Sequence, residues 1–233
     1  MSPFSVPIVY KHNDFIVINK PAGIGVHREG NAPGIIELVQ AQHRFNKLWL
    51  VHRLDKVTSG LLILALNSHA AAQLSALFSE KAIQKYYFAL SDKKPKKKQG
   101  SIVGDMEKSR NGLFKLTHSK QNPAITQFFS KGVSGLRLFV LKPATGKTHQ
   151  LRVAMKSLGS PILGDTAYTG SPSDRAYLHA YALSFVYQNE SMTISTMPQT
   201  GEHFLDQAQT ALYSEYLTPN TLPWPQKGST QKP

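Results

Sequence analysis

The ten-residue segment 51–60 collects several side-chain types that could do chemistry. It reads VHRLDKVTSG, and it holds one carboxylate (Asp55), three basic groups, two hydroxyls and a glycine just before the apolar run 60–66. Loops beside a buried strand often carry function, because the strand holds them rigidly. A carboxylate in such a loop can act as a nucleophile or a general base. Spacing alone fits equally well a surface turn in which Asp55 pairs with Arg53 or Lys56.

A second polar cluster, KTHQLR at 147–152, opens a helix predicted over 148–158. Arg152 projects from a half-buried face of this helix, and a guanidinium in such a place requires an anion. Asp55 is one candidate. A phosphate group or a surface pair with Asp165 explains the arginine equally well, so the sequence leaves these three partners open.

Composition excludes several other chemistries. The chain has no cysteine, which excludes disulfide frameworks, thiolate metal sites and cysteine nucleophiles. Its nine histidines form no H-E-x-x-H pair, and no G-x-S-x-G elbow occurs. GKT at 146–148 resembles the end of a phosphate-binding loop, but Leu141 stands where the first glycine is required. We therefore predict a site without metal or organic cofactor.

The charge balance indicates an anionic partner. The 233 residues include 27 Lys plus Arg against 14 Asp plus Glu, a formal charge of +13. Residues 81–120 alone hold eleven basic and three acidic side chains, centred on the run 93–98. Its lysines are Lys93, Lys94, Lys96, Lys97 and Lys98. Such a run is either a solvated loop or a set of phosphate contacts.

Hydropathy favours a globular protein of the cytoplasm. Hydrophobic residues make up 41% of the chain and charged residues 18%, which suits a sizeable buried core. The longest apolar stretch, Leu61 to Leu66, is too short to span a bilayer. The N-terminus has no basic region followed by an apolar one, so it does not resemble a signal peptide.

Apolar periodicity predicts an α+β fold with a mainly antiparallel mixed sheet flanked by helices and loops, because strands and helices do not alternate regularly. Residues 1–217 form one predicted domain, and the proline-rich residues 218–233 a flexible tail. A hairpin is expected at 8–19. Helices are expected at 34–45, at 68–82 with Ser68 as N-cap, and at 148–158; strands are expected at 49–51, 60–66, 84–90, 125–129, 136–141 and 177–187.

Five segments, taken in order, resemble the RluA-type pseudouridine synthases, enzymes that isomerise uridine in structured RNA. Together they span about residues 8–186, and their order makes the resemblance far more specific than any one motif. The segments are DFIVINKPAGIGVH at 14–27, HRLDKVTSGLLILA at 52–65, KYYFAL at 85–90, GKTHQLRVAMKSLGSPILGD at 146–165 and LHAYALSF at 178–185.

The resemblance assigns a role to individual residues. It implies that Asp55 is the catalytic aspartate, that Tyr87 stacks on the target base and that Arg152 pairs with Asp55. Leu178 would pack beside the uracil, and Arg53 would enter the RNA where the flipped base has left.

Further substrate contacts follow from the same motifs. His52, Thr58 and Lys85 are expected to bind the substrate, and Lys147 to contact the RNA backbone. If RNA is the anionic partner, the lysine run, which lies outside these motifs, is expected to contact the same backbone. Where the family commonly shows G-R-T-H-Q-I-R, this chain has Lys147 and Leu151. A lysine cannot make the bidentate phosphate contact of an arginine, so the contact at Lys147 is weaker.

The resemblance implies a pseudouridine synthase fold and an isomerase that acts on ribosomal or transfer RNA by base flipping. The enzyme is expected to be a monomer without a separate N-terminal RNA-binding domain, because the signature starts near residue 8. The alternative is an inactive RNA-binding or RNA-chaperone protein on the same fold. That alternative predicts damage at Asp55, Tyr87 or Arg152, and all three are present. A membrane-surface protein would need a basic amphipathic helix, and we find none.

Overall fold

A ten-stranded sheet forms the centre of the computed structural model, which describes residues 6–225. The strands are β1 (Ile8–Lys11), β2 (Phe15–Lys20), β3 (Trp49–Leu50), β4 (Ser59–Ala65), β5 (Gln84–Ser91), β6 (Gln99–Gly104), β7 (Met106–Lys108), β8 (Phe114–Leu116), β9 (Ala124–Val133), β10 (Leu136–Pro143), β11 (Leu178–Tyr187) and β12 (Glu190–Ser195). The helices are α1 (Ile35–His43), α2 (Ser68–Ser79), α3 (Gln150–Ser157), α4 (Glu202–Leu205) and α5 (Gln207–Tyr213). Within residues 6–225, no helix is both long and apolar enough to cross a bilayer.

The predicted α+β fold with a mainly antiparallel sheet is confirmed. The strands run in the order β1-β2-β4-β11-β5-β10-β9-β6, with β3 on β4, β12 on β11, and β7–β8 as a separate two-stranded sheet. Every pairing is antiparallel except that of β4 with β11, which is parallel at two positions. There Ser59 pairs with His179 and Gly60 with Ala180. This parallel seam joins the N-terminal strands to the rest of the sheet.

The central strands are continuous apolar runs because both of their faces are covered. All seven residues of β4 and all six of β2 are buried. α2 follows β4 and packs Leu74 into the core beneath the sheet. The N-cap of α2 is Asn67 rather than the predicted Ser68: the Asn67 side chain accepts a 2.8 Å hydrogen bond from the backbone N–H of Ala70.

α3 begins at Gln150, two residues later than predicted, because His149 adopts the left-handed conformation at φ 58°. The Gln150 side chain fixes this start. Its oxygen accepts hydrogen bonds from the Thr145 hydroxyl at 2.7 Å and the Lys147 backbone N–H at 3.0 Å, while its amide donates to the Thr126 hydroxyl at 3.0 Å. The segment before α3 is therefore bound to the end of the sheet.

The segment expected to be a flexible tail is in part packed. Residues Pro219–Thr221 form a 3-10 turn, and the Trp224 indole N–H donates to the Pro219 carbonyl at 2.6 Å. The Trp224 ring also lies edge-on to Phe129, with centroids 4.9 Å apart. An aromatic contact with the sheet thus orders the proline-rich segment up to residue 225. The rest of that prediction, 226–233, lies outside the described residues.

Candidate active site

An open cleft of about 770 Å³ lies beside the seam between β4 and β11 and collects residues from all five sequence motifs. Residues 25–27, the loop 52–58, the first half of β5, the segment 145–152 and the start of β11 contribute to its lining. Nine of the residues predicted to serve the site lie here: His52, Arg53, Asp55, Thr58, Lys85, Tyr87, Lys147, Arg152 and Leu178. The five lysines of the run 93–98 do not line it.

The Asp55 loop is held by backbone bonds within the loop and to the neighbouring turn. The Thr58 N–H donates to the Asp55 carbonyl at 3.0 Å, which makes a tight turn, and the Gly23 N–H donates to the Lys56 carbonyl at 2.8 Å. Thr58 and Ser59 are buried where the turn enters β4. The Asp55 side chain remains about one quarter exposed and faces the cleft. The loop thus presents this carboxylate from a fixed backbone.

Lys20 is a buried lysine that sequence reasoning missed. Its ammonium donates to the carbonyls of Ile24 at 2.7 Å and Pro21 at 2.8 Å, with a longer contact of 3.4 Å to that of Lys56. It therefore links the end of β2 to the Asp55 loop. Burial, aided by the charge of Arg175, lowers the pKa of Lys20 to about 7, and Asp55 opposes that shift.

Arg152 lies between two carboxylates. Its Nη1 is 3.7 Å from Asp55 Oδ2, while its Nε and Nη2 donate to Asp165 at 2.7 Å and 2.8 Å. Asp165 is only 3% exposed, so this pair is buried and not the surface pair that the sequence allowed. Burial lowers the pKa of Arg152, but the hydrogen bonds and charge of Asp165, then the charge of Asp55, outweigh burial and raise it. The guanidinium therefore stays charged.

A layer of ring contacts surrounds this pair. The guanidinium carbon of Arg152 lies 4.7 Å from the centroid of the Tyr168 ring, a cation–π contact. The Tyr168 hydroxyl accepts a 3.0 Å hydrogen bond from the Phe114 N–H and lies 2.8 Å from His149 Nδ1. Sequence reasoning missed Tyr168. The sequence holds one clue to its place: Tyr168 stands three residues after Asp165, close enough to contact the same arginine.

Tyr87 sits in mid-sheet, where β5 pairs with both β10 and β11. Its partners are Leu141 and Ala180, so neighbouring backbone fixes its position on both sides. Burial and, second, the charge of Asp55 raise the pKa of Tyr87 well above its ordinary value, so the phenol keeps its proton. Lys85 lies on the same face two residues earlier, and burial lowers its pKa.

His52 forms part of the cleft wall with one ring nitrogen already occupied. Its Nε2 accepts a 2.9 Å hydrogen bond from the Ile63 N–H, and its ring stacks on Phe78 with centroids 4.1 Å apart. Burial, with a smaller effect from Lys85, lowers the pKa of His52 to about 3. The imidazole is thus neutral near pH 7, and its Nδ1–H is the polar group left for a ligand.

The two basic residues at the cleft mouth differ in their contacts. The Arg53 side chain is exposed, as a residue that enters a nucleic acid must be. The Lys147 ammonium instead donates to the Asn122 carbonyl, in the segment that follows β8. A phosphate at Lys147 must therefore share or displace that contact.

The lysine loop, residues 93–98, lies at the other end of α3. Its lysine side chains are exposed, Pro95 is buried, and the Lys96 N–H donates to the Leu158 carbonyl just beyond α3 at 3.1 Å. Because α3 begins at the cleft, its eight residues separate the two places by about 12 Å.

The arrangement suits a flat, uncharged ring held beside a carboxylate. Tyr87 offers an aromatic face, Leu178 an apolar contact, and Asp55 a carboxylate 3.7 Å from the charged Arg152. Among the described residues, no group of three or more His, Asp or Glu side chains is placed to hold a metal ion.

Comparisons with known proteins agree on one family. Residues 14–157 match the model of the RNA pseudouridylate synthase family. An uncharacterized RNA pseudouridine synthase of Haemophilus influenzae is 55% identical over 216 residues, covering 91% of this chain and 96% of that protein. The ribosomal large subunit pseudouridine synthase C of Rickettsia bellii is 36% identical over 186 residues, covering 74% of this chain. The match spans only 61% of the length of that relative.

A solved structure supports the same grouping. The human RNA pseudouridylate synthase domain containing 1 aligns with a TM-score of 0.74 at 26% sequence identity. The alignment covers 97% of this chain and 100% of that one.

Proposed function

Since the chain belongs to the RNA pseudouridylate synthase family, whose members are isomerases, we propose that it converts specific uridines of ribosomal or transfer RNA to pseudouridine, with Asp55 as the catalytic carboxylate. The observation that carries the proposal is that Asp55, Tyr87, Arg152 and Leu178, which belong to four separate sequence motifs, line one cleft. The name of the Rickettsia relative supports large-subunit ribosomal RNA as the first substrate to test.

The reaction makes specific demands on such a cleft. The C1′–N1 bond of uridine breaks, the freed uracil turns, and a C1′–C5 bond forms. The proton leaves C5 and N1 gains one, so nothing is added or lost overall. The base must first leave its stack, which requires a pocket that replaces the lost stacking. Tyr87 supplies the aromatic face, and the exposed Arg53 fills the gap in the RNA.

Asp55 acts in its ionised form. A carboxylate at this place could attack C1′, add to uracil C6 or remove a proton from the sugar, and each route needs the negative charge. The charged Arg152 at 3.7 Å favours that charge in a partly water-excluded site. The proton that Tyr87 retains makes its hydroxyl a hydrogen-bond donor rather than a base.

The lysine loop provides the second contact with RNA in this proposal. Four backbone contacts anchor it: the Lys96 N–H to the Leu158 carbonyl, the Lys93 N–H to Ser91 Oγ, Ser160 Oγ to the Lys93 carbonyl, and Ser130 Oγ to the Lys98 carbonyl. An anchored backbone presents its lysines in fixed positions, which reduces the entropic cost of binding phosphates. Together with Arg53, the loop extends the RNA contact well beyond the flipped base.

The test compares wild-type protein with Asp55→Asn on large-subunit ribosomal RNA and on transfer RNA. We expect wild type to form pseudouridine, detected by adduct-stop primer extension. Asp55→Asn should keep the fold and the RNA affinity but lose the product. Asp14→Asn is the matched control, because Asp14 lies in the β1–β2 turn outside the cleft.

Two results would contradict the proposal. Substantial product from Asp55→Asn would remove the role given to that residue. RNA binding by wild type without product on any RNA of the cell would favour an RNA-binding protein instead. Mapping pseudouridines in total RNA from cells with and without the gene identifies the target.

A further inference from the structure

The contacts of Arg152 divide its guanidinium into two edges with different partners. Nε and Nη2 form two parallel hydrogen bonds with Asp165, at 2.7 Å and 2.8 Å. Nη1 is directed to Asp55, but at 3.7 Å it makes an ion pair longer than a hydrogen bond. The tight partner of Arg152 is therefore Asp165, and the Asp55 oxygens are not bound by the arginine.

A guanidinium is planar, so fixing one edge and one face fixes the direction of its third nitrogen. Asp165 fixes the edge of Arg152. The Tyr168 ring lies against the guanidinium, and the Phe114 N–H holds the Tyr168 hydroxyl. The direction from Nη1 to Asp55 is thus set before any RNA arrives.

We propose that Asp165 is a positioning residue for the reaction. By binding the Nε and Nη2 edge of Arg152, it leaves only Nη1 facing Asp55 and keeps that edge from binding Asp55. The importance of Asp165 for the reaction rests on the proposed function. The claim that Asp165 positions Arg152 does not depend on that function. Without Asp165, the guanidinium can turn that edge to Asp55 and form a bidentate pair. Such a pair would occupy both carboxylate oxygens, and Asp55 could then neither attack the substrate nor accept a proton.

The negative charge of Asp165 also opposes the effect of the Arg152 charge on Asp55. Loss of the Asp165 charge should therefore favour ionised Asp55 more strongly and move the acidic limb of a rate–pH profile to lower pH. Other titratable groups near Asp55 are Lys20 from β2, Tyr87 from β5, His149 from the segment before α3, and Tyr168 from the turn after Asp165. The charge of Asp165 also raises the pKa of His149 and of Tyr168, so its loss should lower both.

The first measurement needs no activity. Side-chain ¹⁵N NMR detects the arginine Nε–H groups, and Arg152→Lys assigns the signal of Arg152. We expect this signal to be protected from exchange in wild type, to lose that protection in Asp165→Asn and to keep it in Asp55→Asn. An unchanged signal in Asp165→Asn would overturn the positioning role.

The second measurement is the single-turnover rate with saturating RNA. For Asp165→Asn we expect a loss of about 100-fold, the effect of misplacing a catalytic group by about an ångström, with the RNA dissociation constant within about twofold of wild type. The acidic limb of its rate–pH profile should lie at lower pH. Asp14→Asn, which alters a hydrogen-bonded carboxylate outside the cleft, should change neither the rate nor the limb.

Asp165→Glu keeps the charge on a longer side chain and provides the test if Asp165→Asn does not fold. We expect it to fold, to lose about tenfold in rate and to leave the acidic limb in place. A wild-type rate in this variant, or a rate loss in Asp165→Asn that tracks only its thermal stability, would contradict the proposal. If wild type itself forms no pseudouridine, the proposed function fails, and the NMR result still decides whether Asp165 positions Arg152.

Discussion

The Tyr87 ring and its hydroxyl have separable roles at the residue scale. Because burial keeps the phenol protonated, the hydroxyl cannot serve as a base, and in the proposed function the main contribution of Tyr87 is its aromatic face. Stacking of a base on an aromatic side chain is worth about 1–3 kcal/mol. We therefore expect Tyr87→Phe to keep much of the activity, and Tyr87→Leu to lose about 10- to 100-fold.

Single-turnover kinetics with a uridine-containing RNA would measure both variants. Thermal unfolding should show that Leu is tolerated at this half-buried position. Equal losses in Phe and Leu would indicate that the hydroxyl, and not the ring, carries the effect.

The sequence identifies the residues that line the cleft better than those that hold them in place. Asp55 stands out because it precedes an apolar strand, but the preference of Arg152 for Asp165 depends on the direction of α3 and on a turn that follows it. Lys20 reads as an ordinary lysine before a proline. Only the fold shows that its ammonium is enclosed by carbonyl groups.

At the element scale, Gly60 allows β4 and β11 to pair. Its φ is +110°, and a Cβ there would lie 2.3 Å from the Ala180 carbonyl oxygen and 2.6 Å from the Ala180 nitrogen. Both atoms are backbone, so neither can move without disturbing the seam. Gly60 is the second residue of β4, directly after the loop that presents Asp55.

We expect Gly60→Ala to destabilise the fold by about 2 to 5 kcal/mol, from the unfavourable φ and the clash together. Gly135→Ala is the control: Gly135 has φ +78° with nothing near its Cβ position, so the expected cost is about 1 to 2 kcal/mol. Urea unfolding would measure both. Equal costs would contradict the role given to the close approach at the seam.

Long or strictly apolar elements were predictable, and short polar ones were not. The hairpin of β1 and β2, the buried β4 and the helix α2 follow from periodicity alone. β6 reads QGSIVG, with two glycines and little alternation, and β7 and β8 have three residues each. α5 depends on Asp206, whose side chain accepts hydrogen bonds from the N–H groups of Ala208 and Gln209. Tertiary pairing rather than local propensity determines such elements.

At the scale of the whole molecule, five of the 27 basic residues lie in the single anchored loop 93–98. We expect replacement of Lys93, Lys94, Lys96, Lys97 and Lys98 by Gln to weaken RNA binding and to reduce its salt dependence. The slope of log K against log salt should fall by about 0.7 to 0.9 for each phosphate that the protein no longer neutralises. Turnover of bound RNA should not change, since the loop lies outside the cleft.

Lys11→Gln with Lys47→Gln provides the comparison, because these exposed lysines lie at β1 and before β3. Filter binding at several salt concentrations gives each slope. An unchanged slope in the loop variant would mean that the loop is only solvated.

Acid should destabilise the protein through its buried histidines. His179 is 1% exposed, bonded to Ser59 Oγ and to the Thr196 carbonyl, and burial lowers its pKa from 6.5 to about 3. Between these values the unfolded chain binds a proton that the folded chain does not. Stability therefore falls as pH falls from about 6.5 towards 3, by about 1.4 kcal/mol per pH unit.

Urea unfolding between pH 7 and pH 4 would measure this slope. His179→Gln should remove the contribution of one histidine, about 1.4 kcal/mol per pH unit, from the slope of stability against pH, whatever its effect on stability at pH 7. His69→Gln, at an exposed site on α2, should leave it unchanged. Equal slopes in all three proteins would contradict the assignment.

The seam between β4 and β11 also has a consequence for synthesis on the ribosome. Ser59 and His179, which meet there, are 120 positions apart in the chain. At about 5 to 20 residues per second, a nascent chain that has made β4 waits about 6 to 24 s for its partner strand. Contacts so distant in sequence also form slowly. The cleft beside the seam is therefore completed only after β11 has been made, long after the loop that carries Asp55.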